Sequence, residues 1–254
     1  MEILYQTNTA HHQIRITQEG NIRKLLSGHG MCQEQCGIDI SDLRLHFFDY
    51  SFLSMYSFLF VPAPTNVLVV GLGGAVIPRE FLYYYPDIKI DIIEIDPDMV
   101  KIAKDFFFFE ETSNVNVYLG DAFYVVKELS SKYDIVILDA FLGNYIPFHL
   151  MSIEFLQSVS EILKDDAVLV VNSCVVHPSF NNQLNTFRKV YGEKIYHIDG
   201  IKNSLVTMLY VPRGDCTIAN SLNFSEGNFP SLRPKLLKFT DVIKDASIFS
   251  LKNR

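Results

Sequence analysis

Basic residues are in deficit in this chain of 254 residues. Its 22 lysines and arginines stand against 29 acidic residues, a formal net charge of −7. Nucleic-acid phosphates are bound by basic faces, so no nucleic-acid partner is expected. The deficit is compatible with a cationic substrate, although acidic surfaces commonly serve solubility alone. Cysteine is scarce: Cys32, Cys36, Cys174 and Cys216 are the four present. Cys32 and Cys36 form a C-x3-C pair, but no second Cys or His pair stands at zinc-finger spacing, so no metal is expected. No charged-then-apolar leader precedes residue 10, and the expected compartment is the cytoplasm, with thiols reduced. No internal repeat is visible. No run reaches the about 20 apolar residues that span a bilayer, so no membrane partner is expected. The nearest is LHFFDYSFLSMYSFLFV, residues 45–61, which Asp49 interrupts and three serines dilute. Its apolar positions Phe48, Phe52, Met55, Tyr56 and Leu59 follow helical spacing and predict a buried helix over about 44–61.

What the chain does have is core-forming material, 48% hydrophobic and 20% charged residues, the composition of a folded globular protein. The length suits one large domain, or a domain with a small lobe. Residues 1–43 are expected to form a small N-terminal β-lobe, because HQIRIT and IRKLL read as short strands punctuated by the turns EGN and SGHG. Residues 44–254 are expected to form the main domain. From Val67 strands alternate with helices: VLVVG, KIDIIEI, VNVYL, YDIVILD and AVLVVN are the strands, with helices near 75–84, 97–107, 122–130, 150–163 and 179–190. Near-continuous Val/Ile/Leu runs are what strands buried on both faces require, and the alternation gives right-handed βαβ units. KIYHID and LVTMLYV, with no helix between them, predict an antiparallel hairpin at one edge. The tail from Gly214 shows weak periodicity.

In an open parallel sheet, ligands sit beyond the carboxyl ends of the strands. Gly71, Gly73 and Gly74 end the first strand, where a tight turn and the N-terminus of the next helix can receive a ligand. Glu94 ends the second strand, where an acid can accept ribose hydroxyls. These two features leave NAD binding open, but Val76 occupies the position at which the dinucleotide fingerprint carries its third glycine. Asp121, followed by Ala122, stands past the third strand, where an acid can accept from an adenine amino group. Asp139 ends the fourth. Each acid alone could be a helix cap. Together they fit the class I fold of enzymes that use S-adenosylmethionine, an α/β, Rossmann-like architecture.

The segments VLVVGLGGAVIPREF, IDIIEIDPDMV, VYLGDAF and YDIVILDAFLGNYIPFHLMSIEFLQSVSEILKDDAVLVVN resemble the polyamine aminopropyltransferases, that is, spermidine synthase and its relatives. HQIRI followed by GHGMCQ is similar to that family's N-terminal lobe, and the likeness covers about residues 11–211. The resemblance implies transfer of an aminopropyl group from decarboxylated S-adenosylmethionine to an amine such as putrescine, with Asp139 as the catalytic acid/base. It implies that Glu94 holds the ribose, Asp121 the adenine, and that Gln13 contacts the nucleoside from the lobe. It also implies a homodimer, which the aromatic runs Tyr83–Tyr85 and Phe106–Phe109 would suit, although such runs are more often core. The pattern departs from that family at three places: Gly74 replaces the acid facing the donor's amine, Leu142 replaces a second acid three residues beyond Asp139, and no substrate-binding Tyr appears near Gly200. The GLGG turn also resembles a spermidine synthase-like branch of methyltransferases, so methyl transfer from S-adenosylmethionine is the alternative. His149 and Asn144, in the loop after Asp139, are candidates for an acceptor pocket.

Overall fold

A computed structural model describes residues 1–31, 33–44, 47–142, 145–200 and 206–214. Cys32, Asn144, Cys216 and the tail beyond Gly214 lie outside the described residues.

Two sheets organise the chain. The first is antiparallel, in the order β1 (Glu2–Asn8), β2 (Gln13–Glu19), β3 (Ile22–Ser27), β4 (Gln33–Asp39). β1 was not visible in the sequence: most of its residues are exposed, so no face of it alternates, and it pairs only with β2. A short helix α1 (Asp49–Leu53) and a 3-10 turn (Ser54–Leu59) follow. They replace the single helix expected over 44–61. Ser54 Oγ donates back to the Tyr50 carbonyl at 2.7 Å, and serine back-bonding of this kind bends helices. The burial was read correctly, since every residue of the 3-10 turn is buried.

The main sheet then builds as β5 (Asn66–Val70), α2 (Val76–Tyr84), β6 (Lys89–Glu94), α3 (Pro97–Phe107), β7 (Val115–Leu119), α4 (Ala122–Glu128), β8 (Tyr133–Leu138), α5 (Ile153–Ile162), β9 (Leu163–Cys174), α6 (Phe180–Tyr191), β10 (Tyr196–Asp199) and β11 (Val206–Pro212). Its order is β10-β11-β9-β8-β5-β6-β7. The strands from β5 to β9 pair in parallel, while β11 runs antiparallel to β9 and to β10, the edge hairpin expected from the sequence. The chain reverses its winding between β5 and β8, which sets a crevice at their carboxyl ends.

Alternation along each buried strand divides the core in two. Val67, Val69, Ile90, Ile92, Ile135 and Ile137 face the side packed by Leu53, Phe58 and Phe81. Leu68, Val70, Ile93, Val136 and Leu138 face the side packed by α4, α5 and α6. Period-two alternation places both sets without conflict. Local signals set the helix starts. Asp96 caps α3 by accepting from Asp98 N at 3.0 Å, with Pro97 in the first turn. Ser152 caps α5 by accepting from Phe155 N at 3.2 Å, which divides the helix expected over 150–163 into a 3-10 turn (Phe148–Met151) and α5.

The four-stranded sheet does not stand apart from the main one. Ile14, Ile16, Leu25, Cys36 and Ile38 form a third core with Val76, Met99, Ile102 and Phe107 from α2 and α3. Thr9 Oγ1 donates to Asp96 Oδ2, and Arg23 Nη1 to the Phe106 carbonyl at 2.7 Å. The aromatic run at 106–109 is therefore mostly interior: Phe107 and Phe109 are buried, and only Phe108 stands well exposed.

Candidate active site

Hydrogen bonds join the carboxyl ends of β8, β5, β6 and β7, four neighbouring strands of the main sheet. Val70 O accepts from Asp139 N at 2.9 Å, which ties β5 to the residue after β8. Gly71 N donates to Ile93 O at 2.8 Å, and Gly120 N to Glu94 O at 2.9 Å, which adds β6 and β7. Gly71 is required here. Its φ is +99°, and a Cβ would stand 2.3 Å from the Asp139 carbonyl oxygen. Any side chain would push β5 and β8 apart where they form the floor of the crevice.

Above these strand ends lies a cavity of about 530 Å³, roofed by the four-stranded sheet. Gly71, Gly73, Glu94, Asp121, Ala122 and Asp139 all line it. Glu94 is buried, at 6% exposure. Its Oε2 accepts from Leu72 N and its Oε1 from Asp96 N, both at 2.9 Å. The carboxylate thus closes the glycine turn while facing the cavity, and burial raises its pKa. Asp121 caps α4 by accepting from Phe123 N at 2.9 Å, and His149 Nε2 lies 3.1 Å from it. The cap reading and the ligand reading of Asp121 are compatible, because one oxygen at a helix N-terminus still has lone pairs to offer.

Asp139 is set differently. Its partner is Asn172, two residues before the end of β9, whose Nδ2 donates to Oδ1 at 2.8 Å. Burial pushes the carboxyl up to about 7, against the lowering effect of the Asn172 hydrogen bond. Tyr50 lines the same cavity, and burial raises its phenol, followed by Cys36 and Asp139 nearby.

Two expected site residues are not on the cavity wall. Gln13 is exposed and uses its Oε1 to accept from Gly30 N at 3.2 Å. His12, one position earlier, lines the cavity instead. His11 lines it too; both histidines lie in the turn before β2, which begins at Gln13, so the chain's path into the strand and not strand alternation brings them to the cavity. Burial lowers the His12 pKa, partly opposed by Asp96. The other is Gly74. It faces the lobe, where a Cβ would meet Cys36 Sγ at 2.3 Å and Phe107 at 3.1 Å. The acid expected there by resemblance is therefore not merely missing, because Cys36 has closed into its place. Gly74→Ala is expected to destabilise the protein by about 1–3 kcal/mol through overpacking. A Cys36→Ala background should restore part of that loss in thermal denaturation.

Asn172, His12 and Tyr50 were missed as site residues. Asn172 was findable, since it ends the fifth strand AVLVVN by the same rule that marked Glu94, Asp121 and Asp139.

A doubly wound sheet whose glycine turn and strand-end acids meet in one cavity defines the class I S-adenosylmethionine-dependent, Rossmann-like transferase fold. Within that class, the chain belongs to the spermine/spermidine synthase domain family, which matches residues 49–209. It is 38% identical over 158 residues to the polyamine aminopropyltransferase of Vibrio vulnificus (strain CMCP6), covering 61% of this chain and 52% of that protein. The chain thus spans about half the length of that relative. The eEF1A lysine and N-terminal methyltransferase of Mus musculus is 32% identical over 124 residues, covering 45% of this chain and 18% of that protein. Among solved structures, a probable spermidine synthase from Corynebacterium glutamicum superposes with a TM-score of 0.73 at 16% identity, covering 87% of this chain and 84% of that one. No helix of the described residues is long and apolar enough to cross a membrane.

Proposed function

We propose that the protein transfers an aminopropyl group from decarboxylated S-adenosylmethionine to an amine of the polyamine class. The observation that carries this reading is the meeting of the Gly71 turn, Glu94, Asp121 and Asp139 on one cavity in a chain of this family. The cavity falls within the roughly 300–1,000 Å³ of small-molecule sites. Its donor set suits an adenosyl compound: Glu94 to accept ribose hydroxyls, Asp121 to accept from the adenine amine, and the backbone at Gly71 and Gly73 for close approach. The bound donor would supply a carbon made electrophilic by a sulfonium centre.

The chain's own task is at the acceptor. An ammonium is not nucleophilic until it loses a proton. Asp139, held near neutrality by burial, can attract the ammonium, orient it and take the proton. Asn172 fixes the carboxylate by holding Oδ1.

Methyl transfer from S-adenosylmethionine is the second reading. It is favoured by position 74, where Gly74 against Cys36 leaves no acid to select a donor tail that lacks a carboxylate. Calorimetry with both donors separates the two. Binding of decarboxylated S-adenosylmethionine, with an aminopropyl mass increment on the amine, is the expected result. Binding of the carboxylate-bearing donor alone overturns it. The family resemblance also supports a homodimer in the cytoplasm acting on a small molecule. A mass by light scattering equal to one chain would overturn the dimer.

A further inference from the structure

From the sequence, His149 is a candidate for an acceptor pocket, but its ring nitrogen meets a donor-side residue. His149 Nε2 lies 3.1 Å from Asp121 Oδ1 and 3.1 Å from Asp121 Oδ2, so it sits across both oxygens of that carboxylate. Oδ1 also accepts from Phe123 N at 2.9 Å, as the cap of α4. Both His149 and Asp121 line the cavity. One imidazole thus takes up the front of the acid proposed to receive the adenine amine.

Backbone and packing hold the imidazole in that place. The His149 carbonyl accepts from Ser152 Oγ at 2.7 Å and from Ser152 N at 3.3 Å, and Ser152 is the cap of α5. The ring meets the Phe123 ring edge to face, with centroids 6.0 Å apart. Lys127 Nζ lies 4.2 Å from the Phe123 centroid and pairs with Glu154 at 2.6 Å. That lysine and glutamate offset each other, so Asp121 is the charge His149 faces directly. Glu94 and Asp139 stand elsewhere on the same wall, with His11 and His12 from the lobe.

We propose that His149 competes with the donor's nucleobase for Asp121, and that donor and nucleoside product are held more weakly when His149 is protonated. This rests on the adenine reading of Asp121. A carboxylate offers about four lone-pair directions. The helix cap uses one on Oδ1, and His149 faces the space between the two oxygens, where the negative potential of the group is greatest. An adenine N–H must either take that space or settle for the flank. A neutral imidazole holds it with one hydrogen bond and yields readily; an imidazolium adds an ion pair. The two side chains are 45% and 28% exposed, so solvent screens the pair and its weight is about three- to fivefold in affinity. In the catalytic cycle the effect falls on release. Once the C–S bond has broken the nucleoside product is a neutral thioether, and His149 regains Asp121 as the base departs.

The test titrates methylthioadenosine, the uncharged nucleoside that aminopropyl transfer leaves, into the full chain by calorimetry at about pH 8 and about pH 5.5, a span over which histidine changes charge. This probe lacks the sulfonium through which Asp139 acts on the donor. His149→Phe keeps a ring against Phe123 and loses the nitrogen. His149→Gln keeps an N–H and gains no proton. Relative to either variant, wild type is expected to bind about three- to fivefold more weakly at the lower pH than at the higher. Any loss of affinity from protonation of Glu94, whose pKa is raised by burial, is common to all three proteins and cancels in the ratio. A ratio that does not change with pH overturns the competition. So does weaker binding by both variants at both pH values, since His149 would then be holding the base. No binding by any of the three proteins at either pH would remove the adenine reading itself, and the competition with it.

Discussion

Asp139→Asn is expected to lower turnover by about 10²–10⁴-fold, the range over which a positioned general base contributes, while leaving donor affinity within about tenfold. The amide keeps the volume of the carboxyl and loses the basic oxygen. The wild-type protein should show the corresponding titration. Asp139 sits at about 7 rather than its ordinary 3.8, so the base form is lost as pH falls below neutrality, and donor-limited kcat/KM should rise through about pH 7. At saturating donor, the sulfonium charge favours the ionised carboxylate and the limb should move to lower pH. Unchanged turnover in the variant would remove Asp139 from the chemistry.

The same substitution has an opposite effect on stability. A carboxyl whose folded pKa is raised contributes most below its unfolded value and loses that contribution as pH rises through the folded one. Between about pH 4 and pH 8 the free protein is therefore expected to lose stability, up to about 4 kcal/mol from a shift of some three units. Asp139→Asn escapes that loss, so its melting temperature should exceed that of wild type at pH 8, with the gap narrowing toward pH 4. Thermal denaturation across that range checks it. A residue that impairs folding when ionised and is needed ionised for turnover is the pattern expected of a catalytic group.

The elements legible from sequence were those with strong, local periodicity. β5, β6, β8 and β9 lie inside the sheet with buried Val/Ile/Leu runs that allow no competing pattern. α3 carried an Asp-Pro start that fixed its first residue. Legibility failed where information is relational. β1 has no buried face, so only its pairing with β2 defines it. The 44–61 segment has helical spacing, but its serines turn back on the backbone. The site divided along the same line. Glu94, Asp121 and Asp139 follow from a rule about strand ends. The roof depends on how the lobe's turns lie: His11 and His12, in the turn before β2, line the cavity, while Gln13, the first residue of β2, does not. Gly74 was read as a ligand contact because the glycine turn is one stretch in sequence. In space its members face two ways, Gly71 and Gly73 toward the cavity and Gly74 toward Cys36.

Glu94→Ala is expected to weaken donor binding by at least about 30-fold, near 2 kcal/mol, because a charged hydrogen-bond acceptor leaves the site. The geometry adds a second consequence. Glu94 also satisfies Leu72 N and Asp96 N, so alanine leaves two backbone donors in a buried setting without partners. Each costs about 1–3 kcal/mol, offset in part by removal of a carboxylate that burial disfavours. Glu94→Gln separates the two roles. Its amide oxygen can keep one of the two N–H groups, so the turn is held more nearly as in wild type, while the charge that would meet the ribose hydroxyls is gone. The glutamine variant should therefore lose about tenfold in donor affinity by calorimetry with a smaller drop in melting temperature than alanine shows. If glutamine binds donor as tightly as wild type, and alanine loses affinity only in proportion to its instability, then Glu94 closes the glycine turn and does not read the ribose. The nucleoside would then have to be held by Asp121 and the backbone at Gly73 instead.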